Sequence, residues 1–288
     1  MKYQFVFNNR KNYPIERLLK VLNIRKSGYY KWLSRTPSNR EIENDKILSE
    51  IKAAYLNSRG MYGSPRVYKC LHNKGIKCGK NRVVRLMKEN HIVSKTRKKY
   101  KTTTNSRHSN PVYENILDRR FQVDKPNKVW VSDITYIWTD EGWLYLCVII
   151  DLYSRKVVGW AMREWLDNKL VISAFSMAYL QRKPNSDTLL FHSDQGIQYT
   201  SKDFQKVLKN KKVLCSMSRK GNCWDNACAE SFFHTLKAEE VQHFRYCTRE
   251  SAKVRIFDYI ERFYNNSRMH SYLGYMNPTE FENKRKSA

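Results

Sequence analysis

The sequence predicts an α/β fold, a mixed sheet with helices on its faces, preceded by an all-α, strongly basic region. Three observations carry that expectation. Near residue 129 the hydrophobic period changes from helical to strand-like alternation. Beyond it, three β-rich runs in succession give way to alternating helical and strand-like stretches, the pattern of a sheet with antiparallel and parallel parts. The charge is also lopsided: residues 1–110 hold 27 Lys and Arg against 6 Asp and Glu, whereas residues 111–288 hold 27 against 21.

The 288 residues, 41% hydrophobic, suffice for one large domain or two smaller ones. A formal charge of +27 points to a polyanionic partner, with nucleic acid ahead of an anionic membrane. No apolar run approaches the length of a spanning helix, and MKYQFVFNNR is too short and polar for a signal peptide. We therefore expect a cytoplasmic protein with no membrane partner. The seven cysteines contain no CxxC pair, so neither a disulfide framework nor a zinc ribbon is indicated; the nearest cluster, Cys223 and Cys228 with His234 beyond, lacks the paired spacing of structural zinc sites.

In the basic half, YPIERLLKVLNIRKSGYYKWL has apolar residues at helical spacing, breaks near Asn23 and restarts at Ser27 as an N-cap, a helix-turn-helix pattern. A second helical unit follows: EIENDKILSEIKAAYL, then SPRVYKCLHNKG with Ser64 as cap, Pro65 at the first helical position and Gly75 as stop. In KNRVVRLMKEN, Lys80, Arg82, Arg85 and Lys88 surround an apolar stripe, as a helix reading a DNA groove requires and as a plain surface helix also does. Residues 94–111 have no apolar periodicity; their basic side chains, Arg97, Lys98 and Lys99 among them, suit phosphate tracking or a solvated spacer.

In the second half, VWVSDITYIW, WLYLCVIIDLYS and KVVGWAM read as an antiparallel meander, followed by a helix capped by Asp167, a strand TLLFHSD, a helix SKDFQKVLKNKK and a strand VLCSMS. Asp133 is out of place inside the first strand, where a carboxylate needs a cation or donors. Asp194 ends another strand within HSDQGIQYTS; turn chemistry at Asp194 and Gly196, with Thr200 or Ser201 capping the next helix, explains that stretch locally. Glu230 lies on a helix opened by Asp225 or Asn226, sharing a face with His234 and Lys237. Each acid has an ordinary structural explanation. Three carboxylates gathered from two strands and a helix would instead repel one another unless a divalent metal joined them, and hard oxygen donors suit Mg²⁺.

WVSDITYI, HSDQGIQYTS and GNCWDNACAESFFHTLK together resemble the signature of DDE transposases and retroviral-type integrases, in particular the IS-three family of bacterial insertion sequences. Thirty-five residues separate Asp194 from Glu230, and Lys237 stands seven positions beyond the Glu, as in that family. The resemblance extends to RKSGYYKW, YGSPRVYKCLHNKGIKCGKNRVVRLM and YNNSRMHSYLGYMNPTEF, nearly the whole chain. It implies an RNase H-like catalytic core in which Asp133, Asp194 and Glu230 hold two Mg²⁺ ions, with Mn²⁺ as a substitute. Water attacks one phosphodiester, the freed 3′-OH attacks another, and Lys237 contacts DNA near the scissile phosphate. It further implies the element's terminal inverted repeats and target DNA as partners, a homo-oligomer on that DNA, and a nucleoid-associated location in a bacterium. In this family the active enzyme usually includes a segment from an upstream reading frame, and no sustained heptads occur here to dimerise the chain.

The organisation this implies is a helix-turn-helix-like segment over 1–40, a second helical DNA-binding unit over 41–93, a basic linker over 94–119, an RNase H-like core over 120–240 and a helical extension over 241–288. Asp151, which recurs in the family pattern, is read as a partner of Arg155 or a turn cap. Gln195, Gly196 and Tyr199 are expected at the active-site rim, Trp130 and Trp160 in the core; Arg268, His270 and Pro278 match the family without an evident role. Two rival readings share the fold: a hydrolytic nuclease that cuts without joining, and a DNA-binding regulator with an inert catalytic half.

Overall fold

β-branched and aromatic residues fill Val129–Thr139, Gly142–Asp151 and Val157–Arg163, which form strands β1, β2 and β3 of an antiparallel meander. The computed structural model describes residues 2–95, 112–185, 188–220 and 222–286. β4 (Leu190–Ser193) lies parallel to β1 and β5 (Leu214–Met217) parallel to β4, so the five-stranded mixed sheet has the order β3-β2-β1-β4-β5.

Strand alternation divides the side chains between two faces. Trp130, Cys147, Ile149, Val158 and Phe191 pack under α7 (Asn168–Arg182) and α8 (Lys202–Asn210). Asp167 caps α7 as expected, accepting the Leu170 amide, and Ser201 caps α8. On the opposite face Val131, Leu146 and Val148 meet α9 (Ala227–Glu239) and α10 (Arg249–Phe257), which runs on into a π-helical turn, Asp258–Tyr264. Asp133 has the parity of Val131 and so belongs to the face that α9 covers.

The N-terminal helices α1 (Lys2–Asn9), α2 (Ile15–Val21) and α3 (Lys26–Leu33) close on a small cluster of Val6, Leu19 and Tyr29, and Asn23 makes the α2–α3 break with φ 50°. Ser27 is not the cap of α3: Arg25 occupies that position and Ser27 lies inside the helix. Likewise Gly63, not Ser64, precedes α5 (Ser64–Asn73), moving Pro65 one place inward. Ser38 provides the capping box instead, exchanging bonds with Glu41 at the start of α4 (Asn39–Asn57). Together with α6 (Lys80–Glu89), α4 and α5 share one apolar cluster with α9 and the C-terminal extension. Polar clasps reinforce that contact: Arg59 meets Asp258 at 2.6 Å, and the Tyr62 hydroxyl accepts the Met269 amide at 2.7 Å.

Residues 112–119, placed in the linker from sequence, run mostly exposed along the sheet edge but are anchored to it at Leu117. Leu117 is buried, its amide bonds Ser216 Oγ at 3.2 Å, and the Met217 amide bonds the Glu114 carbonyl. The last helix, α11 (Pro278–Lys286), brings Glu282 onto Arg182 and Ser154. No helix among the described residues is long and apolar enough to cross a membrane.

Gly159 sets the approach of α7 to β3. A Cβ there would fall 2.6 Å from Ala178 Cβ and 2.8 Å from the Ala178 amide nitrogen. Gly159→Ala is therefore expected to destabilise the fold by about 1–3 kcal/mol through overpacking. Calorimetry should show a lowered Tm; an unchanged Tm would contradict this account of the contact.

Candidate active site

The β1–β4 pairing matches Val129 with Leu190 and Val131 with His192. Continued by two residues, this register brings Asp194, just past the end of β4, level with Asp133 in the middle of β1. The carboxylate of Asp133 accepts the Ile134 amide at 2.8 Å, and among the described residues no Arg pairs with it. Asp194 accepts the Gly196 amide at 2.9 Å.

Glu230 comes from the first turn of α9, and the entry to that helix is pinned to β1. Asn226 donates from its side chain to the Ser132 carbonyl at 3.0 Å, one residue before Asp133. Asn226 stands at the N-cap position of α9, one of the two residues expected there, but its side chain makes no capping bond; Asp225 lies in the 3-10 turn before the helix. Asp225 is buried and accepts the Arg219 guanidinium at 2.8 Å, Arg119 Nε at 2.9 Å and Asn115 Nδ2 at 2.9 Å. Arg219 above all holds its carboxyl far below the usual range. This fourth acid is thus already satisfied, and it ties the 112–119 segment to the turn before α9.

The other three acids act on one another. Burial first, then Asp194, pushes the Asp133 carboxyl well above its ordinary value; Glu230 adds to this, while the Ile134 amide and Lys237 oppose it. Burial and Asp194 also raise Glu230. Lys237, two turns further along α9, places its ammonium 5.2 Å from the Tyr136 ring centroid; burial lowers its pKa, and Tyr136 and Asp133 work to raise it. Among the described residues no group of three or more His, Cys, Asp or Glu side chains closes around a single point as a metal cage, the Cys228–His234 region included. The three acids are electrostatic neighbours, not a closed cage.

Beneath them, Tyr199 is buried with its hydroxyl 2.8 Å from Ser132 Oγ, forming floor instead of rim. His192, which sequence reasoning passed over, is buried between Ser216 Oγ at 2.9 Å and Ser218 Oγ at 3.1 Å; burial lowers its pKa to about 4, so it is neutral. Gln195 donates to the Ser218 carbonyl at 2.9 Å. Gly196 has no positive φ; a Cβ there would lie 2.9 Å from the Asp194 carboxylate to which its amide donates, so a larger residue would displace that carboxylate.

Other sequence-singled residues lie elsewhere. Asp151 is buried and pairs with Arg182 at 3.2 Å, not with Arg155, while accepting the Asn127 and Tyr153 amides. Trp130 is core, but Trp160 is half-buried and donates to Glu261. On α6, Lys80 and Lys88 are exposed and Arg85 is paired with Glu89. Arg82 turns inward to Glu43 and Asn44, fastening α6 to α4. Arg97, Lys98 and Lys99 lie outside the described residues.

Family models agree with this layout. An integrase core domain matches residues 123–223, an HTH-like domain residues 43–100, and a further integrase core domain residues 230–285. The mixed sheet with helices on its faces, matched by the integrase core model and preceded by an HTH-like helical unit, defines an RNase H-like DDE transposase, a polynucleotidyl transferase. Transposase InsF for insertion sequence IS3A of Escherichia coli K12 is 38% identical over 286 residues, 99% of both chains. The uncharacterized 31 kDa protein of insertion element IS600 from Shigella sonnei is 41% identical, covering 93% of this chain and 98% of its own. This chain belongs to the IS3 family of insertion-sequence transposases. Among solved structures, a chain of the simian T-cell lymphotropic virus intasome in complex with PP2A regulatory subunit B56 gamma aligns over 80% of this chain and 73% of its own, with 17% identity and a TM-score of 0.48.

Asp151 gives this region a measurable pH signature. Burial is the largest influence and raises its carboxyl to about 6 despite Arg182 and two amides. A carboxyl raised above its unfolded value binds its proton more tightly when folded, so its contribution to stability is fully present below the unfolded value of about 4 and is lost as pH rises through about 6. Asp151→Asn, which cannot ionise, should therefore gain unfolding free energy relative to wild type between about pH 4 and about pH 7 in urea titrations. Parallel pH profiles would contradict the assignment.

Proposed function

We propose that Asp133, Asp194 and Glu230 are the catalytic carboxylates of this transposase and that they hold divalent metal, two Mg²⁺ ions, for which Mn²⁺ substitutes. The observation that carries the assignment is that the β1–β4 register sets Asp194 level with Asp133 while Asn226 ties the helix bearing Glu230 to the adjoining Ser132 carbonyl; burial and Asp194 then make both Asp133 and Glu230 harder to ionise. Lys237 offsets this only in part, so the site fits a further cation. Hard carboxylate oxygens are the donor set Mg²⁺ prefers when it also accepts phosphate oxygens. When bound, such ions activate an attacking oxygen and stabilise a leaving one.

The chain's own residues supply position. The Ile134 amide orients Asp133, the Gly196 amide orients Asp194, and the Asn226 clasp fixes the helix that carries Glu230. Lys237 stands about 10 Å along α9 from Glu230, a distance suited to holding a DNA phosphate beside the one that reacts. Lys80, Arg85 and Lys88 on α6, with Arg97, Lys98 and Lys99, contact DNA backbone; Arg82 acts within the protein.

In this reading a water oxygen forms a bond to phosphorus at an element end and the 3′ oxygen leaves. That 3′-OH then attacks a target phosphodiester, and a target 3′ oxygen leaves. No covalent protein intermediate forms. The chain works as an oligomer on the element's terminal inverted repeats, with a segment from an upstream frame as a further partner, in the bacterial cytoplasm at the nucleoid.

Labelled terminal DNA incubated with the full chain and Mg²⁺ should give joined products longer than the substrate on a denaturing gel. Glu230→Gln should still bind that DNA while cleavage and joining fall by at least about a hundredfold. Cleavage without joining would indicate a hydrolytic nuclease, and unchanged activity in Glu230→Gln would remove this residue from the catalytic set.

A further inference from the structure

A second polar cavity, of about 330 Å³, lies against another face of α9, between that helix and the C-terminal extension. Its α9 wall is Ala227, Cys228, Ser231, Phe232 and Thr235. At 3.6 residues per turn these centre roughly 130° around the helix from Glu230, His234 and Lys237. The remaining wall brings in Arg66 from α5, Arg155 from the β2–β3 turn, and Arg268, His270, Ser271 and Tyr272 from the extension, with Ile150 and Tyr264 as apolar backing. No carboxylate lines it among the described residues.

The three arginines are held in different ways. Glu239 accepts both Nε and Nη2 of the buried Arg268 at 2.8 Å and stands 3.9 Å from Arg66. Arg155 has no such partner. Its side chain is nearly enclosed, the residue being 9% exposed, and its backbone sits in the left-handed region at φ 60°. Such a conformation costs a non-glycine residue free energy and persists only where the surroundings impose it. The guanidinium donates to Cys228 Sγ at 2.6 Å and to the Phe121 carbonyl at 3.1 Å, and it lies 4.3 Å from the Tyr272 ring centroid. Among the described residues it makes no ion pair; Asp151, the acid nearest to it in sequence, is taken by Arg182. A guanidinium removed from water without a carboxylate is costly, and an anion is what relieves it.

His270 does not add to the positive charge. Burial above all, then Arg268, Arg66 and Arg155, lowers its pKa to about 3, and its Nε2 stands 3.2 Å from Arg268 Nη1. The neutral ring thus accepts a hydrogen bond, and with Glu239 offsetting Arg268 the wall keeps a net positive charge from Arg155 and Arg66. Hydroxyl groups from Ser231, Thr235, Ser271 and Tyr272 and the first turn of α9 add further donors. Arginines arranged with hydroxyls favour the several oxygens of a phosphoryl group, and the volume is at the small end of ligand-sized cavities.

We propose that this cavity is a phosphoryl-binding site, separate from the carboxylates, occupied either by a phosphate of the DNA backbone or by a free phosphate compound. Ser231 adjoins Glu230 on the same helix, so an occupant would steady α9 in the position that presents the acid. Only that consequence rests on Glu230 being catalytic; the cavity and its anion do not.

Cys228 reports on occupancy because its sulfur touches Arg155. We would measure its alkylation by mass spectrometry in the full-length Glu230→Gln chain without metal, at constant ionic strength, with the exposed Cys247 as internal reference. Inorganic phosphate is expected to slow alkylation of Cys228 and not of Cys247. Arg155→Gln should require at least about tenfold more phosphate for equal protection, because a charge-assisted hydrogen bond is lost. Arg66→Gln, at the less enclosed side of the cavity, should weaken protection in the same direction and guards against an Arg155 variant that fails to fold. Protection by terminal DNA but not by phosphate, with the same arginine dependence, would support the site and identify the backbone as its source. Absence of protection by both, or protection unchanged in both arginine variants, would overturn the proposal.

Discussion

Asp133 occupies the middle of a hydrogen-bonded strand, on the face covered by α9, where burial and two neighbouring carboxylates all oppose its charge. Much of the architecture serves to keep it there. The parallel β1–β4 register sets Asp194 level with it, glycine at 196 leaves room for the second carboxylate in its present position, and Asn226 binds the third acid's helix to the adjoining Ser132 carbonyl. Left to electrostatics alone, three such groups would move apart or take up protons. The sheet and α9 hold the backbone that prevents the first, and a bound cation would prevent the second.

α9 is consequently the piece on which several parts of the molecule converge. One face carries Glu230 and Lys237, another meets the sheet core, and its last turn contributes Glu239, buried with Arg268 and the Tyr259 hydroxyl. Buried ion pairs of this kind add little net stability but are costly to break singly, so they fix geometry more than they raise stability. Through Arg59, Tyr62 and Arg66 the second helical unit joins the same assembly. DNA engaged by the helical modules would therefore act on a body continuous with the helix that bears the third acid.

The sequence made the acids legible because Asp133 interrupts an apolar strand and because the spacing from Asp194 to Glu230, with Lys237 beyond, matches a known pattern. Strand alternation and the change of period likewise exposed the sheet, and Asp167 and Ser201 behaved as local caps should. What sequence missed was set by partners far along the chain. Asp225 looks like a helix cap until Arg119 and Asn115 arrive from over a hundred positions earlier. Asp151 does cap its turn through the Tyr153 amide, but its ion pair is with Arg182 and not with Arg155, whose guanidinium goes to Cys228. Composition marked 94–111 as linker and the domain division extended it to 119, but Leu117 has a buried place beside β5 that periodicity cannot reveal from one residue. The basic helix α6 was legible as amphipathic; that Arg82 faces α4 depended on Glu43 and Asn44 lying opposite.

The central claim is that the three carboxylates share a cation. Manganese binding followed by electron paramagnetic resonance, with the full chain on terminal DNA, tests it most directly when wild type is compared with Asp133→Asn. Wild type is expected to hold bound Mn²⁺ that Mg²⁺ displaces, and the variant to lose that population while DNA binding persists. Equal Mn²⁺ binding by both proteins would contradict that claim.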